Sequence, residues 1–259
     1  MASTQYEKAQ AFCALHQGTC FVMPNPWDAG SARALAGLGF AALATSSGAA
    51  AGVLGRKDGE ISRDEALAHA RAIVGATDLP VAADLENGFG DDPDDVALTI
   101  RLAAEAGLVG GSIEDARNDR RLYPLSQAVE RVAAAAEAAR ALPFAFTLTA
   151  RAENFLRGPA DLDDTLARLQ AFEKAGADVL FAPALPDLAA VRAVCAAVNK
   201  PVNFMVGMKG RSFSVAELRD AGVKRISLAT SLYRAAMAGM LLAAAEVKEQ
   251  GTFGYVERL

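Results

Sequence analysis

The stretch Pro80-Val81-Ala82-Ala83-Asp84-Leu85-Glu86-Asn87-Gly88-Phe89-Gly90 decides how this chain is read. A short apolar run entered through a proline and closed by two glycines predicts a buried strand over 81–84. The run ends on two carboxylates two positions apart, and side chains two apart on a strand point the same way, so Asp84 and Glu86 are expected to converge. Anions held that close repel unless a cation or a proton intervenes. A hard divalent ion such as magnesium, which takes carboxylate oxygens and keeps waters, meets that need most simply. The alternative is a solvated acidic turn running on into Asp91, Asp92, Asp94 and Asp95.

Outward from this strand the same pattern recurs. Strands are expected at 21–23, 41–44, 81–84, 109–113, 144–149, 178–181, 202–205 and 225–228, after a leading helix at 3–16. Between and after them lie alanine- and leucine-rich helices at 29–38, 63–76, 93–106, 125–141, 161–175, 188–198, 215–221 and 231–249. Eight strand-helix units in one run predict a parallel α/β barrel of the TIM (β/α)8 type, a single domain over 1–259 with an N-terminal leading helix. Gly39, Gly107, Gly176 and Gly222 each close a helix before the next strand, where a left-handed cap is needed. These glycines mark the bottom of the barrel, so chemistry is expected at the opposite rim.

Composition agrees with a large core and excludes several classes. The chain has 259 residues, 52% of them hydrophobic, with 26 basic and 31 acidic residues. No basic stripe with interleaved aromatics points to nucleic acid, and no apolar run reaches the roughly 20 residues that span a bilayer. The first ten residues are polar and charged, with no signal-peptide pattern. Cys13, Cys20 and Cys195 are odd in number and lack metal-type spacing, so reduced thiols in a cytoplasmic protein are expected. The two histidines, His16 and His69, fall on expected outer helices, which disfavours zinc or histidine acid-base chemistry.

The residues that follow the strands form a polar set at one rim: Asn25 and Asp28, Thr45-Ser46-Ser47-Gly48, Asp84 and Glu86, Glu114 and Asp115, Arg151 and Glu153, Asn203 with Gly207, and Thr230. Glu114, ending the neighbouring strand, is the third candidate metal ligand beside Asp84 and Glu86, and three carboxylates with waters suit magnesium or manganese. The turn at Thr45 to Gly48 offers hydroxyls and backbone N–H groups that can hold a carboxylate, or is simply a serine-rich turn. Arg151 is a planar fork suited to a carboxylate, or an ion-pair partner of Glu153 or Glu114. A cluster after the seventh strand, Gly207-Met208-Lys209-Gly210-Arg211, fits generic phosphate binding or a solvated loop.

In order and spacing, Asn25-Pro26-Trp27-Asp28-Ala29-Gly30-Ser31-Ala32, Ala44-Thr45-Ser46-Ser47-Gly48-Ala49, Leu54-Gly55-Arg56-Lys57-Asp58-Gly59, Ala83-Asp84-Leu85-Glu86-Asn87-Gly88-Phe89-Gly90, Ser112-Ile113-Glu114-Asp115 and Ala150-Arg151-Ala152-Glu153 resemble the isocitrate lyase and phosphoenolpyruvate mutase superfamily, over most of the chain. The resemblance implies a β/α barrel, usually tetrameric and otherwise dimeric, that binds magnesium and a small 2-oxo or 2-hydroxy carboxylate and works through an enolate. It implies that Asp84, Glu86 and Glu114 hold the metal, directly or through waters, and that Ser46, Ser47 and Gly48 contact the substrate carboxylate with Arg151. Thr45 and Asn203 join the substrate site, and Asp58, Arg151 and Glu153 lie near the reacting group. The expected reaction is C–C cleavage, as a lyase or decarboxylase acting on a dicarboxylate, or else C–P chemistry of the mutase or phosphonopyruvate hydrolase kind.

The departures are specific. Isocitrate-type members carry a lysine-lysine/arginine-cysteine-glycine-histidine segment after the fourth strand, where this chain has Ala116-Arg117-Asn118-Asp119-Arg120-Arg121-Leu122-Tyr123. Arg117, Asn118, Arg120 and Arg121 remain candidates for a short lid. Glu86 stands where an aspartate is usual, and the small pair Leu43-Ala44 replaces an aromatic residue before the serine turn, opening the pocket. An oxo-acid sensor without turnover is the reading from another class, and retention of Asp58, Arg151 and the three acids speaks against it.

Overall fold

A computed structural model of the chain describes residues 3–117, 119 and 121–258. In chain order its elements are α1 (Gln5–Gln17), β1 (Phe21–Met23), α2 (Ala29–Gly37), β2 (Leu43–Ala44), α3 (Ser47–Val53), α4 (Arg63–Val74), β3 (Val81–Asp84), α5 (Pro93–Glu105), β4 (Gly110–Glu114) and α6 (Leu125–Arg140). There follow β5 (Thr147–Arg151), α7 (Asn154–Arg157), α8 (Leu162–Lys174), β6 (Val179–Phe181), α9 (Leu188–Ala197), β7 (Val202–Met205), α10 (Val215–Asp220), β8 (Arg225–Ser227) and α11 (Ser231–Gln250), with a 3-10 turn over Gly254–Arg258. Every strand pairing is parallel, in the order β1-β8-β7-β6-β5-β4-β3-β2, which makes the nearly closed (β/α)8 barrel that the alternating pattern predicts. The seam between β1 and β2 is bridged by the Ala44 N–H donating to the Pro24 carbonyl at 3.1 Å. Asn25 staples the same seam, donating to the Thr45 carbonyl at 2.9 Å and accepting from the Leu228 N–H at 2.9 Å.

The bottom of the barrel is plugged by α1. Thr4 and Glu7 form a capping box that starts this helix, a device that satisfies two orphan donors at once. Phe12 is fully buried in a cluster with Ala9, Met23, Ala42, Ala44, Ala82 and Val109, a burial that contributes roughly 1.5–3 kcal/mol. Gly110 lets it in: a Cβ there would lie 2.9 Å from both Phe12 Cε1 and the Thr147 carbonyl oxygen. The four capping glycines all have left-handed backbones, Gly39 at φ 85°, Gly107 at 90°, Gly176 at 107° and Gly222 at 98°.

Four differences from the sequence reading have clear physical causes. Ser46 to Val53 is not only a turn, because Ser46 caps a helix whose alanine run follows at once, its hydroxyl accepting from the Ala49 N–H. Strand β3 ends at Asp84 as expected, but Glu86 beyond it is not aimed by strand alternation: its N–H donates to Asp84 Oδ1 at 3.2 Å and it turns left-handed at φ 49°. A further short helix, α7, intervenes after β5. The long C-terminal helix α11 has no fully buried residue among its 20 and meets the core only through partly buried side chains such as Leu232. His16 also departs from expectation, being buried under the barrel rather than on an outer face, while His69 is half-buried and bonds the Trp27 carbonyl at 2.9 Å.

Candidate active site

At the carboxyl ends of the strands opens a cavity of about 400 Å³. Thr45, Ser46, Ser47, Gly48, Asp58, Asp84, Arg151 and Asn203, all named from sequence, line it. Gly48 permits the close approach of two loops: a Cβ there would sit 2.9 Å from Thr230 Cγ2 and 3.5 Å from the Asp58 carboxyl. Glu86, Glu114 and Glu153 lie behind this lining, each at most 6% exposed.

One guanidinium organises the wall. Strand registers put Asp84 beside Ser112, Ser112 beside Thr149, and Glu114 beside Arg151, so acids of β3 and β4 face the arginine of β5. Arg151 donates from Nε to Glu153 at 2.8 Å and from Nη1 to Asp84 at 3.0 Å, and pairs through Nη2 with Glu114 at 3.1 Å. Arg157, one helical turn after Glu153, pairs with Glu114 at 3.1 Å and with Glu153 at 3.5 Å. The other Asp84 oxygen accepts from the Ser47 hydroxyl at 3.0 Å and its N–H at 3.4 Å, and the Thr45 hydroxyl accepts from the Asp84 N–H at 3.1 Å. Asp115 holds the next layer, accepting from the Glu153 N–H at 2.8 Å and from Arg168 at 3.0 Å. Burial pushes its carboxyl up to about 6.

The network leaves negative charge in excess. Two guanidiniums face Asp84, Glu86, Glu114 and Glu153, with Asp58 at the mouth. Burial raises Glu114 well above the usual carboxylate range, with Glu153 adding repulsion, while the surrounding acids keep Arg151 firmly protonated against its own burial. Glu86 is pushed up to about 7, by burial first and then by Asp84 and Asp58, and its Oε1 is buried without a partner. An orphaned carboxylate oxygen beside a second carboxylate is a donor set that a hard cation fits. Among the described residues, however, no three acidic, histidine or cysteine side chains are gathered as a ready metal set. The cause is local: both Glu114 oxygens already face guanidiniums and both Asp84 oxygens are engaged, so of the three candidate ligands among the described residues Glu86 is the one with an unpartnered buried oxygen.

Of the lid candidates, Arg117 and Arg121 sit apart from the cavity. Arg117 N–H donates to the Arg121 carbonyl at 2.8 Å, Arg121 pairs with Asp119, and none of the three lines the cavity; Asn118 and Arg120 lie outside the described residues. Gly207 and Met208 do line the cavity, whereas Arg211 is spent on the Ala184 carbonyl at 2.9 Å. Two residues escaped the sequence reading. Arg157 was signalled only by its i,i+4 spacing from Glu153, and Arg225 only by sharing strand phase with Ser227 on β8.

The sequence model of the phosphoenolpyruvate phosphomutase family matches residues 12–248. The 2-methylisocitrate lyase of Escherichia coli K12 is 32% identical over 199 residues, 73% of this chain and 66% of that one. A provisionally named lyase/mutase from Burkholderia cenocepacia J2315 superposes with TM-score 0.96 at 54% identity, covering 98% of this chain and 92% of that one. A provisionally named phosphonomutase from the same organism does so with TM-score 0.87 at 39% identity, covering 96% and 100%. With these matches on a (β/α)8 barrel whose acids gather at the strand ends, the chain belongs to the phosphoenolpyruvate phosphomutase family, within the isocitrate lyase and phosphoenolpyruvate mutase superfamily of lyases and mutases.

Proposed function

We propose that this chain is a magnesium-dependent lyase that cleaves a C–C bond in a small 2-oxo or 2-hydroxy dicarboxylate through an enolate. The observation that carries this is the surplus of carboxylates at the mouth, with Glu86 Oε1 buried and unpartnered beside Asp84. Asp84 and Glu86 are the residues to hold the ion, with Glu114 reaching it through water, and manganese is an acceptable substitute. When bound, the cation supplies positive charge against the anion that develops as the bond breaks.

The remaining work falls to the protein. Arg151 and Arg157 fix Asp84, Glu114 and Glu153 in place, so the acids need not reorganise when charge moves. Ser47 steadies Asp84 from the other side. The Ser46 to Gly48 segment opens helix α3 toward the cavity, where its backbone N–H groups favour a substrate carboxylate. Asp58, exposed and beside Gly48, stands where a proton can be exchanged with the reacting group. The small Ala44 side chain on the cavity wall leaves room for a branched substrate, while Leu43 packs into the core behind it.

C–P chemistry is the second reading, favoured by the similarity to a provisionally named phosphonomutase and by the family description itself. A panel of oxaloacetate, 2-methylisocitrate, 2,3-dimethylmalate and phosphonopyruvate, with and without magnesium, separates the two. Metal-dependent cleavage of a dicarboxylate supports the lyase; pyruvate from phosphonopyruvate alone replaces it with the second. The extended apolar face of α11, with Met240, Leu241 and Leu242 all exposed, supports a homo-oligomer, a tetramer or dimer.

A further inference from the structure

Below the carboxylate wall the same cavity continues to Arg225, which lies on β8 and is only 4% exposed. Its partners are all neutral. Nε donates to Asn203 Oδ1 at 2.8 Å and Nη2 to Thr149 Oγ1 at 2.9 Å, while Nη1 lies 3.3 Å from His16 Nε2. His16 Nδ1–H donates to the Phe12 carbonyl at 2.8 Å, which leaves Nε2 as an acceptor; burial and the neighbouring Arg225 push this imidazole down to about 3, so it stays neutral. Among the described residues Arg225 makes no ion pair, and these contacts occupy three of its five N–H donors. Burial pulls its guanidinium down to about 9, which still leaves it charged at neutral pH.

A buried cation without a counter-ion is costly, and an arginine retained there is matched by an anion when one is present. Ala44 and Ala82 line this cavity with small side chains that keep it open. Thr149, which Arg225 touches, lies two residues before Arg151 on β5, a drop of roughly 6–7 Å at about 3.3 Å per residue. An extended four- or five-carbon diacid sets its carboxylate carbons roughly 4–5 Å apart, given C–C bonds of about 1.5 Å. With the hydrogen bonds at each end added, such a molecule spans the interval.

We propose that Arg225, positioned by Asn203, Thr149 and His16, is the anchor for the substrate's second carboxylate and makes this chain selective for four- and five-carbon dicarboxylates over monocarboxylates. This rests on the cavity being the substrate site. Its test is calorimetric binding, without turnover, of succinate and glutarate against butyrate and valerate, to wild type and to Arg225→Met. Wild type should prefer a diacid over its matched monoacid by about 10–100-fold, the range for a charge-assisted fork. Arg225→Met should lose that preference while monoacid affinity stays within about twofold. No diacid preference in wild type, or an unchanged preference in the variant, overturns the proposal. Should Arg225→Met fail to fold, the crystal structure of wild type with the preferred diacid decides: a carboxylate within hydrogen-bond distance of Arg225 supports it and any other placement overturns it. Diacid binding through Arg225 without lyase turnover would reject the proposed reaction alone, and lyase turnover with no role for Arg225 would reject the anchor alone.

Discussion

Glu86→Gln removes one negative charge from the crowded mouth while keeping the shape of the side chain. In the folded chain, burial and then Asp84 and Asp58 push the Glu86 carboxyl up from 4.5 to about 7. An acid whose folded pKa is raised holds its proton more tightly when folded, so ionising it costs stability as pH climbs above 4.5, and the cost is complete above about 7. At roughly 1.4 kcal/mol per pH unit, the interval from 4.5 to about 7 gives an upper bound of about 3 kcal/mol in the metal-free protein. Glutamine has no such proton to lose. In EDTA at pH 8 the variant should therefore melt above wild type by up to about 6–12 °C, since 1 kcal/mol moves a chain of this size by roughly 2–4 °C. Toward pH 4.5 the two melting curves should converge. Differential scanning calorimetry across that range reads both ends. A variant no more stable than wild type at pH 8 would refute the idea that Glu86 is held ionised at a cost.

Arg151→Lys keeps the charge but loses the fork that reaches Asp84, Glu114 and Glu153 together. It should destabilise the chain by about 2–4 kcal/mol and lower kcat, because breaking a buried ion pair leaves a charge uncompensated; a melting temperature within a degree of wild type would contradict this. Gly110→Ala puts a Cβ at 2.9 Å from a backbone carbonyl, and should cost about 1–3 kcal/mol by overpacking, read from urea midpoints. Leu241 and Leu242 on α11 are 60% and 73% exposed, so light scattering should find an oligomer that Leu241→Glu/Leu242→Glu shifts toward monomer. A wild-type monomer would remove that interface.

The barrel was legible because its signals are local. Apolar runs and alanine-rich helices recur along the chain, four of the strands are preceded by a glycine with positive φ, and each signal is set by neighbouring residues alone. Strand ends were less legible because side chains compete with the ladder. The Asp84 carboxylate captures the Glu86 N–H, ends β3 and turns Glu86 left-handed, which no alternation pattern reports. The start of α3 was missed although Ser46 before an alanine run is a cap signal, because Ser-Ser-Gly also satisfies a turn. The mouth residues Thr45 to Gly48, Asp84 and Arg151 were legible as a set from their strand-end positions, and Asp58, in the loop between α3 and α4, only through the family resemblance. Pairing of Arg151 with Glu153 or Glu114 was legible too, but its simultaneous grip on Asp84 was not, since that depends on registers between β3, β4 and β5. Arg225 was hidden for the same reason: its partners come from β7, β5 and α1, far apart in sequence.

The central claim is that surplus carboxylates at the barrel mouth take up a divalent cation. Calorimetric titration of magnesium into wild type and Asp84→Asn at pH 8 tests it most directly, with melting curves recorded to confirm that both are folded. Saturable binding by wild type that weakens at least tenfold in the variant is the predicted result; no binding by wild type, or equal binding by a folded Asp84→Asn, would contradict it.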